Sequence, residues 1–186
     1  EVRVRNEDAP AGFPAMNIRL AVDSIDYYVP FELLPGKGPK TVTFSGLWPG
    51  ALCWKSIRAA DEIPAVYEEK YRPIYHHTPV TGWMNDPNGM FYKDGEYHLY
   101  YQYNPYGNRW GNMHWAHSSS KDLVNWTNHS VVIEPDSLGT IFSGSAVVDK
   151  YNDAGFGENA VIAFYTSEKH GVPQVQSMAY STDNGK

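Results

Sequence analysis

The sequence predicts an all-β chain: a small β-rich N-terminal module over residues 1–69, then part of a larger antiparallel assembly over 70–186. Three observations carry this. Aromatic residues make up 15% of the 186, with Tyr 14, Phe 7 and Trp 6, and rings of this kind favour strands. Asp94-Gly95 sits between two strand-like runs, which is the strongest short-range signal for a β-hairpin. From Tyr71 onward, short apolar runs alternate with turn residues in the rhythm of a meander.

In the N-terminal part, KTVTFSGL alternates, with Val42, Phe44 and, past Gly46, Leu47 marking a strand. YYVPFELLPGKGPK is strand-like and then breaks at a Pro/Gly turn. IRAADEIPAVYEEKY has room for a short helical stretch interrupted by Pro64, and a charged connector follows near Glu68 to Lys70. Beyond it, NGMFYKDGEYHLYYQYNP is a hairpin. In its second strand Tyr97, Leu99, Tyr101 and Tyr103 share one face, with His98, Tyr100 and Gln102 on the other. MHWAHSSS and VNWTNHSVVI supply two more strands, so four strands fall within roughly 45 residues, the size of one propeller blade. FSGSAVVD, AVIAFYTS and VQSMAYST repeat the rhythm as three strands. That is material for one blade and most of a second. A propeller closes with at least four blades, so the fold is either something smaller or a fragment of a longer chain.

The totals exclude several function classes. A net charge of −6 with no basic stripe argues against nucleic acid as a partner. No apolar run is long enough to span a bilayer, and the charged start EVRVRNEDAP lacks the apolar stretch of a signal peptide. Cys53 is the only cysteine, which rules out an internal disulfide and cysteine-based zinc sites; between apolar neighbours it is expected to be a buried, inert thiol. His76, His77, His98, His114 and His117 lack paired carboxylate spacing, and no metal or other cofactor is assigned. Asn125 and Asn128 begin glycosylation sequons but fall in a predicted turn and strand, so both read as chance matches. Glu134 and Asp149 are expected to be surface or structural carboxylates.

The stretch WMNDPNG (83–89) concentrates polar residues that a fold alone does not require. Pro87 fixes its own φ and pushes Asp86 toward an extended backbone. Asn88 and Gly89 tolerate positive φ, so a chain reversal is expected there. Downstream, in order, come QYNP (102–105), WGNMHWAHSSSKDLVNW (110–126) and FSGS (142–145).

Together these four motifs resemble the N-terminal part of the catalytic domain of family 32 glycoside hydrolases, the invertases, levanases and inulinases. The resemblance covers residues from about 72 to 186. Residues 1–69 resemble, more weakly, an extra β module found upstream in some bacterial members. The resemblance implies a five-bladed β-propeller, of which this chain would hold the first blade and most of the second. It implies retaining hydrolysis of β-fructofuranosyl bonds in levan, inulin or sucrose. It matches Asp86 to the nucleophile, Asn85, Gln102, Trp110, Phe142 and Ser143 to positions that hold the fructosyl unit, and Trp83 to the pocket lining. It also implies a secreted, periplasmic or cell-surface setting.

The chemistry of the residues agrees. A retaining glycosidase needs an ionised, rigid carboxylate and a second carboxyl about 5–5.5 Å away. Asp86, held extended by Pro87, meets the first need. Asn85 and Gln102 can exchange hydrogen bonds with sugar hydroxyls, and Trp110 and Phe142 can offer a flat apolar wall. Trp83 and Met84, just upstream, are expected to wall the same pocket. The family's Arg-Asp-Pro and Glu-Cys motifs do not occur in the sequence, so the chain alone is expected to be incomplete and inactive, and its open blade edges invite self-association. Two alternatives stand beside the enzyme: a non-catalytic fructan-binding module, and a packing scaffold without a ligand.

Overall fold

The computed structural model describes residues 2–19, 28, 30–31, 33, 38–61 and 70–185. The expected strand over 27–40 and the helical stretch over 57–71 fall about half outside the described residues, and the connector near Glu68 to Lys70 lies outside them except for Lys70. Three antiparallel sheets account for the described regular structure, with one 3-10 turn at Leu52–Lys55.

The first sheet has the order β2-β1-β3, from β1 (Val2–Asn6), β2 (Met16–Ile18) and β3 (Val42–Ser45). Val2 and Val4 are buried while Arg3 and Arg5 face solvent, a period of two that makes β1 a half-buried strand. Val2, Val4 and Ile18 form its core, with Val42, Phe44 and Leu47 packed against them. Cys53 is half-buried, not buried as expected, because the turn that carries it buries none of its residues.

The second sheet runs β4-β5-β6-β7, built from β4 (Trp83–Lys93), β5 (Glu96–Asn104), β6 (His114–Ser120) and β7 (Trp126–Ile133). Asp94 and Gly95 close the β4–β5 hairpin with φ of 51° and 86°, as the Asp-Gly signal requires. The two faces of β5 separate as expected. Leu99, Tyr101 and Tyr103 join one cluster with Ala116, and Tyr100 joins another with Trp115. The third sheet, order β10-β9-β8, comprises β8 (Thr140–Asp149), β9 (Ala160–Glu168) and β10 (Val175–Ser181).

The second and third sheets pack face to face around Tyr100, Trp115, Ile141, Ala163 and Tyr165. Each large apolar side chain fully buried there contributes about 1.5–3 kcal/mol relative to exposure. The first strands of the two sheets, β4 and β8, run beside each other. At Gly89, with φ of 44°, an added Cβ would lie 2.7 Å from the Tyr100 ring and 3.0 Å from Ala146 Cβ, so only glycine permits the approach. This is the arrangement of successive blades in a β-propeller.

One expectation is overturned. The chain does not reverse at Asn88-Gly89; Trp83–Lys93 is one continuous strand of 11 residues. β4 is an edge strand, where proline's missing N–H is tolerated, and Pro87 pairs with Tyr101 in the ladder. The turn-forming residues are absorbed instead as two bulges, one between Met84 and Pro87 and one between Asn88 and Phe91.

Candidate active site

The site is made by those interruptions. Met84 pairs with Tyr103 and Pro87 with Tyr101, so Asn85 and Asp86 together oppose Gln102. A bulge of this kind leaves side chains out of the regular alternation and re-aims them. β8 repeats the device: Phe142 pairs with Thr166 and Gly144 with Tyr165, which leaves Ser143 as the extra residue. The two bulges meet. Ser143 Oγ donates to Asp86 Oδ2 at 3.1 Å, and the Gly144 N–H donates to Asn88 Oδ1 at 3.2 Å.

Six of the seven sequence-predicted residues line one open cleft of about 330 Å³: Asn85, Asp86, Gln102, Trp110, Phe142 and Ser143. Trp83 is not among its lining. It reaches the site indirectly, through an Nε1 hydrogen bond of 2.8 Å to Asn85 Oδ1, which leaves the Asn85 NH2 available to a ligand. Met84 does not wall the cleft either; it packs against the Leu99, Tyr101 and Tyr103 cluster on the opposite face.

One polar group of the cleft is buried and unsatisfied. Gln102 is 2% exposed and its Nε2 has no hydrogen-bond partner among the described residues. An unmet buried donor costs about 1–3 kcal/mol, a cost that a sugar hydroxyl or a water in the cleft would remove. Trp110 is 61% exposed and meets Phe142 edge-on, with centroids 6.0 Å apart and planes at 63°. An open indole beside hydroxyl and amide groups offers a flat apolar face that could stack on the C–H face of a ligand. Among the described residues Asp86 is the single carboxylate lining the cleft.

Sequence reasoning missed three residues here. Asn88 was assigned to a turn, yet its side chain ties β4 to β8. Thr166 and Gln174 line the cleft beside Phe142. The signal for Thr166 is its register opposite Phe142, which no local pattern encodes.

The other residues singled out have structural partners. His77 meets Ser118 Oγ at 2.8 Å and His98 meets His117 at 3.0 Å. His114 meets the Asn112 carbonyl, and burial pushes its imidazole down to about 4. Asn125 donates to Asp122, and Asn128 bonds Ser118 and the Thr78 carbonyl. Asp149 accepts the N–H groups of Asp153 and Ala154, and Glu134 is exposed.

Comparison with known proteins places these features in context. Residues 76–186 match the family described as "Glycosyl hydrolases family 32 N-terminal domain", and residues 1–75 match a "Domain of unknown function", DUF4980. A levanase of Bacillus subtilis is 58% identical over 134 residues, covering 70% of this chain and 19% of its own. A fructan beta-fructosidase of Streptococcus mutans is 42% identical over 69% of this chain and 9% of its own. The crystal structure of an exo-inulinase from Aspergillus awamori superimposes with a TM-score of 0.60 at 41% identity, over 64% of this chain and 27% of that one. A family 32 structure from Bifidobacterium adolescentis covers 98% of this chain and 34% of its own, with a TM-score of 0.56 at 28% identity. The chain thus spans about a fifth of the length of the levanase it matches.

Proposed function

The chain belongs to glycoside hydrolase family 32, and on that premise we propose that it is the nucleophile-bearing part of an enzyme that hydrolyses β-fructofuranosyl linkages in levan, inulin or sucrose. Asp86 is the nucleophile of a retaining double displacement. Its Oδ2 accepts the Ser143 hydroxyl, which leaves Oδ1 to attack the anomeric carbon of the fructosyl unit. The bond to the leaving oxygen breaks as a second carboxyl group delivers a proton to it. Water, deprotonated by that same group, then displaces Asp86 and restores the carboxylate. Asn85 and Gln102 hold the sugar hydroxyls, and Trp110 and Phe142 form the wall.

The observation that carries this reading is the meeting of two bulges at the cleft: a carboxylate positioned by a hydroxyl, beside an unpartnered buried amide. Asp86 is the only carboxylate lining the cleft among the described residues, so the second carboxyl is inferred to come from elsewhere in the whole protein, and the 186-residue chain alone is expected to be inactive. The names of the extracellular exo-inulinases support an extracellular setting for the whole protein.

The test uses the full-length protein and its Asp86→Asn variant, with release of reducing sugar from levan and sucrose as the readout. Hydrolysis by the wild type, and a loss of about 10⁴-fold or more in the variant, is expected. Fructose binding without hydrolysis in the full-length wild type would instead favour the binding-module alternative. Ordinary turnover by the isolated 186-residue chain would refute the incompleteness.

A further inference from the structure

The loop between β5 and β6, residues 105–113, carries Trp110 to the cleft. Trp110 is largely exposed and its ring contact is the edge of Phe142, so its own packing fixes it weakly. The loop is fixed instead by an amide network. Asn104, 4% exposed, accepts the Tyr106 N–H at 3.0 Å and donates at 2.8 Å to the carbonyl of Arg109, the peptide unit that leads into Trp110. Asn112 Nδ2 reaches Asn104 Oδ1 at 3.2 Å.

That network does not stop at the second sheet. Asn112 Nδ2 also donates to the Asn17 carbonyl at 2.8 Å, and the Asn17 N–H donates to Asn112 Oδ1 at 2.9 Å. The Asn112 carboxamide therefore pairs with the free edge of β2 as a further strand would. Beside it, Tyr106 packs into the Val2, Val4 and Ile18 core and tilts against Phe31 at 5.5 Å. Two residues of the loop that bears Trp110 are thus anchored in the N-terminal sheet.

We propose that the N-terminal sheet is a substrate-affinity element of the cleft: its β2 backbone, through the Asn112 carboxamide, holds the 105–113 loop and so positions Trp110 against the bound fructosyl chain. Asn112 is a positioning residue, and the proposal rests on the functional reading above. The contacts on the β2 side are main-chain groups, so a side-chain change at Asn17 leaves them intact. The informative position is Asn112. Its φ of 44° lies in the left-handed region, where glycine is unstrained, so Asn112→Gly removes the carboxamide without adding backbone strain. Asn112→Asp keeps an acceptor for the Asn17 N–H and loses the donor to the Asn17 carbonyl.

The experiment combines hydrogen–deuterium exchange with steady-state kinetics on the full-length protein and both variants, using levan and sucrose. In Asn112→Gly, amides of residues 105–113 are expected to exchange at least about tenfold faster while β8 to β10 keep their protection. KM for levan rises about three- to tenfold with kcat within about twofold, the pattern of lost uniform binding. Asn112→Asp falls between the two, and it carries the test alone if the glycine variant does not fold. Unchanged loop exchange, or faster exchange with an unaltered KM, overturns the proposal. If the wild type hydrolyses neither sugar, the functional reading falls instead, and the exchange comparison still decides whether the Asn112 carboxamide, which bonds both Asn17 and Asn104, holds the loop.

Discussion

At the scale of single residues, the account turns on groups whose polar atoms are aimed by others. Asp86 is oriented by Ser143, and Asn85 by Trp83. Truncating the hydroxyl in Ser143→Ala leaves the carboxylate without that partner, so kcat in the full-length protein should fall about tenfold or more while circular dichroism stays unchanged. A fall of less than twofold would remove Ser143 from the positioning of the proposed nucleophile. His114 provides a second test. Burial depresses its folded pKa to about 4, against about 6.5 in an unfolded chain. Between these values the unfolded state binds more protons, so stability declines as pH falls from about 6.5 to about 4, by up to roughly 3 kcal/mol. Burial also lowers His77 and His98, which adds to the same slope. Urea denaturation at pH 7 and pH 4.5 should show the decline, and His114→Gln should flatten it. Much of the cleft lining was legible at this scale, because Asp86, Asn85, Gln102, Phe142 and Ser143 lie in ordered motifs. Asn88 and Asn104 lie in the same motifs, but their roles were not legible: Asn88 reads locally as a turn residue, nothing local singles out Asn104, and their partners at Gly144 and Asn112 are set by tertiary register.

At the scale of elements, the bulges distinguish this sheet pair from a plain meander. All seven strands from β4 to β10 follow from alternation and turn signals, and the Asp94-Gly95 hairpin closes as its sequence demands. The bulges were not foreseen, since two residues opposing one is a property of a strand and its partner together. This is why DPNG reads as a turn in isolation and is a strand in the fold. β1 went unrecognised although Val2 and Val4 alternate with Arg3 and Arg5, because the charges drew the reading toward a polar terminus. Gly144 gives the bulges a direct test. A Cβ there would collide with the Phe164 carbonyl and the Tyr165 Cα across the strand pair. Gly144→Ala is therefore expected to cost about 1–3 kcal/mol in chemical denaturation and to weaken fructose binding by displacing Ser143. A variant as stable as the wild type, with unchanged binding, would show that the β8 bulge does not set the site.

At the scale of the whole molecule, two blade-like sheets share one core and leave one face of the third sheet uncovered. On that face Val147, Phe164, Met178 and Tyr180 are 51%, 41%, 47% and 55% exposed, while Ala146, Ala163 and Ala179 turn inward. An apolar face of this kind, with open strand edges beside it, drives association. The 186-residue chain by itself should be dimeric or larger in light scattering, and a monomer at every concentration tested would contradict that. Among the described residues Asp86 is the one carboxylate lining the cleft, and the proposed retaining chemistry needs two. The most direct test of the central claim is therefore made in the full-length protein: rapid acid quenching during turnover of levan, then mass spectrometry of the digested enzyme. The account predicts that the peptide containing Asp86 becomes heavier by one fructosyl residue, and that Asp86→Asn abolishes the adduct. A fructosyl ester on another carboxylate, with the Asp86 peptide unmodified, would contradict it.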